Sequence, residues 1–143
     1  MTDPQLTHFI SAQNSVLAQV EAELTKGAKC SHWMWFIFPQ IAGLGHSMTA
    51  QKYSIADVDQ ARMYLEDPVL GERLRQHVRL MLEHKNKTAR EILGTPDDLK
   101  FRSCLTLFRE ASVAPEDEAL FEEGLRRFYS GQPDAHTIKL LRA

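Results

Sequence analysis

Along most of this chain apolar residues recur at helical spacing, and the breaks between such stretches carry Pro, Gly or a capping side chain. Asp3 and Pro4 suit a helix start. Leu6, Phe9, Ile10, Leu17, Val20 and Leu24 then follow one face, with Val16 beside them, until Gly27 supplies a stop. Asp57 and Gln60 have capping-box spacing ahead of a helix running to about Glu66. Asp67-Pro68 begins the next helix, which carries Leu70, Leu74, Val78, Met81 and Leu82. Thr88 and Glu91 form a second capping box before a short helix that Gly94 ends. Thr95-Pro96 opens another, with Asp97 and Asp98 in the first turn, where the helix dipole favours acids. Ala114-Pro115 opens one more, with Leu120, Phe121, Leu125 and Phe128 on one face and Gly131 beyond it. Asp134 caps a last helix bearing Ile138, Leu140 and Leu141.

Residues 30–53 break this pattern. His32 to Phe38 is almost continuously apolar and aromatic, and Pro39 ends it, which suits an extended, buried segment. Gly43 and Gly45 let the backbone turn where side chains would forbid it, so Pro39–Ser47 reads as an ordered loop. A helical turn resumes near Met48–Tyr53. No repeat or low-complexity linker interrupts the chain. The expected fold is all-α: about seven helices in one compact domain over residues 1–143, with an irregular aromatic-rich segment packed among them.

Composition agrees with a folded chain. Of its 143 residues, 43% are hydrophobic and 25% charged, values ordinary for a globular domain. A formal net charge of -2 argues against a dedicated nucleic-acid binder, which usually carries a basic excess. No apolar run approaches the roughly 20 residues of a membrane span, and residues 1–25 lack the pattern of a signal peptide. A cytoplasmic protein is therefore expected. Cys30 and Cys104 both sit in apolar surroundings and suggest buried thiols rather than a disulfide.

The aromatic segment and its Gly-rich loop form the main candidate site. Successive side chains of an extended segment alternate, so Trp33, Trp35, Phe36 and Phe38 cannot all face the core. Trp35 and Phe38 could stack on a flat ring, with His32, Gln40, His46 and Ser47 as polar partners. His46 adds a side-chain type that trades protons near neutral pH. The competing reading is that helices cover both faces and the segment is core alone. His77 and His84, seven apart, do not match metal-ligand spacing, and no cofactor or metal is implied. Cys30 and His32 lack an orienting acid. A basic stretch from Arg73 to Arg90 and an acidic one from Glu110 to Glu123 could pair between copies of the chain, giving a homo-oligomer.

Several segments together resemble one known family: Ser31 to Gln40 (SHWMWFIFPQ), Gly43-Leu44-Gly45, Leu70-Gly71 with Arg73-Leu74, Pro96-Asp97-Asp98 with Lys100-Phe101, and Thr106-Leu107-Phe108. This pattern is similar to domain of unknown function family 1810. The resemblance implies a mainly helical fold and brings no established activity. It also keeps Asp97, Asp98 and Lys100 as candidate ligand contacts, although Asp97 and Asp98 also fit helix-start chemistry. The family sometimes carries the label calpastatin, a disordered inhibitor of a calcium-dependent protease; this chain has the apolar content and punctuation of a folded core. Separately, Ala50-Gln51-Lys52-Tyr53, then Ala61, then Asp67-Pro68 resembles a motif of helical N-glycosidases acting on riboflavin intermediates or ADP-ribose. The glutamate preceding that motif in those enzymes has no counterpart between Glu23 and Glu66.

Two functions follow as expectations. One is binding of a small nucleotide-like or glycosidic metabolite at the aromatic loop, with hydrolysis left open. The other is a protein–protein interaction module without catalysis.

Overall fold

The computed structural model describes residues 3–143. Its elements are α1 (Thr7–Asn14), α2 (Leu17–Lys26), α3 (Met34–Ile37), α4 (Met48–Lys52), α5 (Val58–Glu66), α6 (Leu70–Leu82), α7 (Ala89–Leu93), α8 (Asp97–Ala111), α9 (Pro115–Tyr129) and α10 (Ala135–Arg142). The all-α expectation stands, but ten helices among the described residues replace about seven.

Three differences account for the surplus, the third being the helical turn expected near Met48–Tyr53, which is the short helix α4. The first is a break in the long N-terminal helix. The Ser15 hydroxyl donates to the Ala12 carbonyl at 3.0 Å. Gln13 turns inward, its amide donating to the Phe36 carbonyl at 2.7 Å and to the Tyr64 hydroxyl at 3.0 Å. Short polar side chains that bond the nearby backbone weaken a helix interior, and the helix is interrupted at Ser15–Val16 between α1 and α2. The second is the aromatic segment, which is not extended. Trp33, Met34, Ile37 and Phe38 are buried on one side of the short α3, while Trp35 and Phe36 are half-buried on the other. The spacing is helical, but one turn is too brief to register as a period.

The long α8 forms the centre. It packs against α5, α7, α9 and α10, and buries Phe101, Cys104, Leu105, Thr106, Leu107 and Phe108. Helix α6 packs against α2, α5 and α9, and α1 packs against α3. Aromatic rings join these layers: Phe38 lies 4.6 Å from Phe101, Tyr64 5.3 Å from Phe108, and Phe108 6.0 Å from Phe121, centroid to centroid. The caps read from sequence recur where they matter. Asp57 accepts from the Gln60 amide at 2.9 Å. The Thr88–Glu91 pair forms a reciprocal box. Asp134 accepts from the Thr137 amide at 2.9 Å. The last of these matters for the site, because the Asp134 amide also donates to Thr106 Oγ1 at 2.9 Å, pinning the start of α10 to α8.

No helix among the described residues is long and apolar enough to cross a membrane. The thiols differ from expectation: Cys104 is buried, whereas Cys30 is exposed in the turn after α2. Burial raises the Cys104 pKa well above the ordinary thiol value.

Candidate ligand-binding site

The site begins with a closed loop. The Ala42 amide donates to the Ile55 carbonyl at 2.8 Å, and the Ile55 amide donates to the Gln40 carbonyl at 2.8 Å. This isolated parallel bridge between Ile41 and Ile55 ties the two ends of the 40–55 loop together. Within it, Gly43 adopts φ +103°, a conformation that favours glycine. Gly45 is needed for closeness instead: a Cβ there would sit 2.6 Å from that of Ala50. Ser47 caps α4, its hydroxyl accepting from the Ala50 amide at 3.1 Å. The Gln51 side chain donates to the His46 carbonyl at 3.0 Å. The loop is thus shaped by its own short helix.

Behind the loop lies a buried carboxylate that sequence reading passed over. Glu23 of α2 accepts from the Cys30 amide at 2.9 Å, the Ser31 amide at 3.1 Å, the Ser31 hydroxyl at 2.7 Å and Trp33 Nε1 at 3.0 Å. Burial by itself would raise its pKa; the bonds from Ser31, Cys30 and Trp33 outweigh that and hold it down at about 2. This ionised anchor sets the turn that leads into α3. Sequence offered no signal for it, since Glu23 sits in an ordinary polar position between α2 apolar residues.

From Trp33 the arrangement continues toward the surface. Lys29 Nζ lies 5.0 Å from the Trp33 ring centroid and 2.9 Å from Asp97 Oδ2. Asp97 Oδ1 is 3.6 Å from Lys100 Nζ, which lies 5.2 Å from the Trp35 ring centroid. Two lysines share one carboxylate, so positive charge remains in excess beside Trp35.

A hollow of about 310 Å³ opens here, lined by Trp35, Gln40, Leu44, Gly45, His46, Ser47, Ala50 and Lys100. A second, of about 240 Å³, shares Gln40, Leu44 and Lys100 with it and extends to Leu99, Arg102, Ser103, Asp134 and His136. Five candidates from the sequence, Trp35, Gln40, His46, Ser47 and Lys100, therefore border one cleft. Phe38 does not. It is fully buried against Trp33, His77 and Phe101, so a stacking role for it is withdrawn. His32 is exposed outside both hollows. Asp97 stands behind Lys100 as its counter-ion, and the Asp98 carbonyl accepts from the Tyr129 hydroxyl. Leu99 and His136 were missed, because no local pattern places these α8 and α10 positions beside the loop.

The state of the polar groups gives the cleft its character. Among the described residues, the side chains of Gln40, His46 and His136 have no hydrogen-bond partner, and Lys100 has only its loose ion pair with Asp97. Arg102 donates from Nε to the Gln132 carbonyl at 2.9 Å and lies 5.7 Å from the Tyr129 ring centroid. Its two terminal nitrogens remain unpaired among the described residues. Asp134, by contrast, is engaged: Oδ2 accepts from the Thr137 amide and, at 2.6 Å, from the Thr137 hydroxyl.

Elsewhere, several charged groups are paired within the chain. A hollow of about 290 Å³ beside α5, α6 and the α8–α9 connection has an apolar lining that includes Leu65, Ala111 and Val113. At its rim Arg75 grips Asp117 at 2.7 and 3.0 Å. That pair also joins the basic and acidic stretches noted in the sequence, inside one chain. Arg73 of the basic stretch donates to Gln13 and Asn14 at 3.2 and 2.8 Å. Among the described residues, no group of three or more His, Cys, Asp or Glu side chains is placed to hold a metal ion. His84 bonds the Leu24 carbonyl at 2.6 Å, and His77 is buried.

The family model described as Protein of unknown function (DUF1810) matches residues 3–141. A solved structure of a conserved hypothetical protein from Mycobacterium tuberculosis is similar to this chain at 41% identity with a TM-score of 0.93, covering 99% of each chain. None of the curated proteins matches.

Proposed function

This chain belongs to the DUF1810 family of proteins of unknown function, and we propose that it binds a small metabolite bearing a planar ring in the cleft between the 40–55 loop and the first turns of α8. The observation that carries this reading is Gln40. Gln40 is half-buried in the lining shared by both hollows, which it borders together with Lys100, and its side chain has no hydrogen-bond partner among the described residues. A polar group so placed gains when a ligand completes its hydrogen bonds. Trp35 supplies an aromatic surface, one side of which Lys100 covers. His46 and Ser47 border the same hollow. The hollows fall near the lower end of the range for small-molecule sites, roughly 300–1,000 Å³.

Binding is proposed without bond cleavage. The carboxylate that lines the cleft, Asp134, already caps α10, so it is poorly placed to act as a general acid or base. A thermal-shift panel of nucleosides, flavin precursors and glycosides tests the reading, run on the wild type and on Gln40→Ala. A compound that raises the melting temperature of the wild type and not of the variant supports it. Equal shifts in both proteins contradict it.

The interaction-module reading has less support at one point. One residue of the basic stretch, Arg75, is paired with one of the acidic stretch, Asp117, within one chain, which lowers the charge left to recruit a second copy by that pair.

A further inference from the structure

We infer that the second hollow is a phosphate subsite, so that the ligand of the cleft is a phosphorylated ring compound such as a nucleotide. The inference rests on the cleft reading above and adds to it the chemistry of one end of the ligand.

The argument starts from Arg102. Its guanidinium is held from behind by the Gln132 carbonyl and by the face of Tyr129. That leaves both terminal nitrogens available in a fixed fork, the geometry that suits phosphate oxygens. Lys100, one helical residue pair away, lines the same hollow and keeps donors to spare after its 3.6 Å contact with Asp97. His136, exposed at the start of α10, is the third donor. These groups come from two helices that the Thr106–Asp134 bond fixes relative to one another at 2.9 Å.

The local charge supports an anion. Lys100 and Arg102 line the hollow with one carboxylate, Asp134, whose Oδ2 is committed to the α10 cap. One positive charge therefore remains over the three charged groups of the lining, with the neutral His136 beside them. Because Gln40, Leu44 and Lys100 border both hollows, a ring held at Trp35 and a phosphate held at Arg102 belong to one molecule.

The test uses the full chain with adenosine, adenosine 5′-monophosphate, inorganic pyrophosphate and a short single-stranded RNA lacking terminal phosphates. Affinities come from calorimetry, and contacts from imidazole and amide NMR shifts. The monophosphate should bind at least ten-fold more tightly than adenosine, and pyrophosphate alone should shift the His136 imidazole. Arg102→Gln and His136→Gln should each narrow the ten-fold ratio, weakening the monophosphate more than adenosine; His136 is exposed, so its variant folds even if the other does not. Equal affinity for adenosine and its monophosphate overturns the phosphate subsite and leaves the cleft reading standing. RNA binding without mononucleotide binding overturns the subsite as well. If neither adenosine, the monophosphate nor pyrophosphate perturbs any cleft resonance, both readings fall.

Discussion

Lys100 holds its ammonium 5.2 Å from the centre of the Trp35 ring, so the cation and the aromatic surface that line the cleft are already in contact with each other. The contact orders both side chains before any ligand arrives, which lowers the entropy lost on binding. Lys100→Gln should cost the fold little, about 0.5–1 kcal/mol for an exposed cation–π pair. It should weaken binding of an anionic ring ligand by roughly ten-fold or more, the loss of one charge-assisted hydrogen bond. Calorimetric titration of wild type and variant, alongside denaturant melts, separates the two effects.

Glu23 should be a large single contributor to stability near the cleft. Glu23→Ala leaves the Trp33 indole and the Cys30 and Ser31 amides without their acceptor, and should destabilise by about 3 kcal/mol. The pH dependence has a definite sign. The folded carboxyl titrates at about 2, below its ordinary value of 4.5, so its stabilisation is complete above pH 4.5 and is lost as the pH falls from there toward 2. Urea melts from pH 6 to pH 2.5 should show this loss in the wild type and its absence in the variant.

His77 should act at milder acidity. Desolvation, followed by the charge of nearby Arg73, lowers its pKa from 6.5 to about 4. Its Nε2 has no hydrogen-bond partner, and Phe38 lies edge-on to the ring. Below pH 6.5 the unfolded chain takes up a proton that the folded one refuses, so stability falls between pH 6.5 and 4 by up to about 3 kcal/mol. His77→Leu should flatten that slope without loss of stability at pH 7, since no hydrogen bond of Nε2 is broken. A slope unchanged by the substitution would assign the effect to another group.

Gly45→Ala should open the loop while sparing the fold. The new methyl would meet the Ala50 side chain at 2.6 Å, which displaces α4 from the loop that it shapes. Cleft binding should drop several-fold, with a destabilisation of about 1–2 kcal/mol. Gly131→Ala provides a control for local strain, because a methyl there meets nothing within 4 Å although the backbone φ is +78°. Its binding should match that of the wild type.

Much of the fold was legible because its helices announce their ends. Thr88 with Glu91, Asp57 with Gln60, Pro115 and Asp134 each mark a start that the structure repeats, since capping is decided by a few neighbouring residues. The break at Ser15 was hidden, because it depends on Gln13 reaching Phe36 and Tyr64, partners far along the chain. The aromatic segment misled for a related reason. Trp33, Met34, Ile37 and Phe38 share one side of a single helical turn, a period too short to read, and Pro39 suggested a strand end. The loop half of the cleft, Trp35 to Ser47, is contiguous and could be named in advance. Its other wall, Arg102 and His136, is assembled only when α8 and α10 pack, and no local pattern encodes that meeting.

The central claim is that Trp35 and Gln40 face a ligand, whereas Trp33 does not. Indole Nε1–H resonances report both tryptophans at once. On titration with adenosine 5′-monophosphate, the Trp35 indole and the Gln40 side-chain amide should shift together and saturably, while the Trp33 indole, bonded to Glu23 at 3.0 Å, stays in place. A titration in which neither Trp35 nor Gln40 moves, or in which both indoles move alike, would contradict the account.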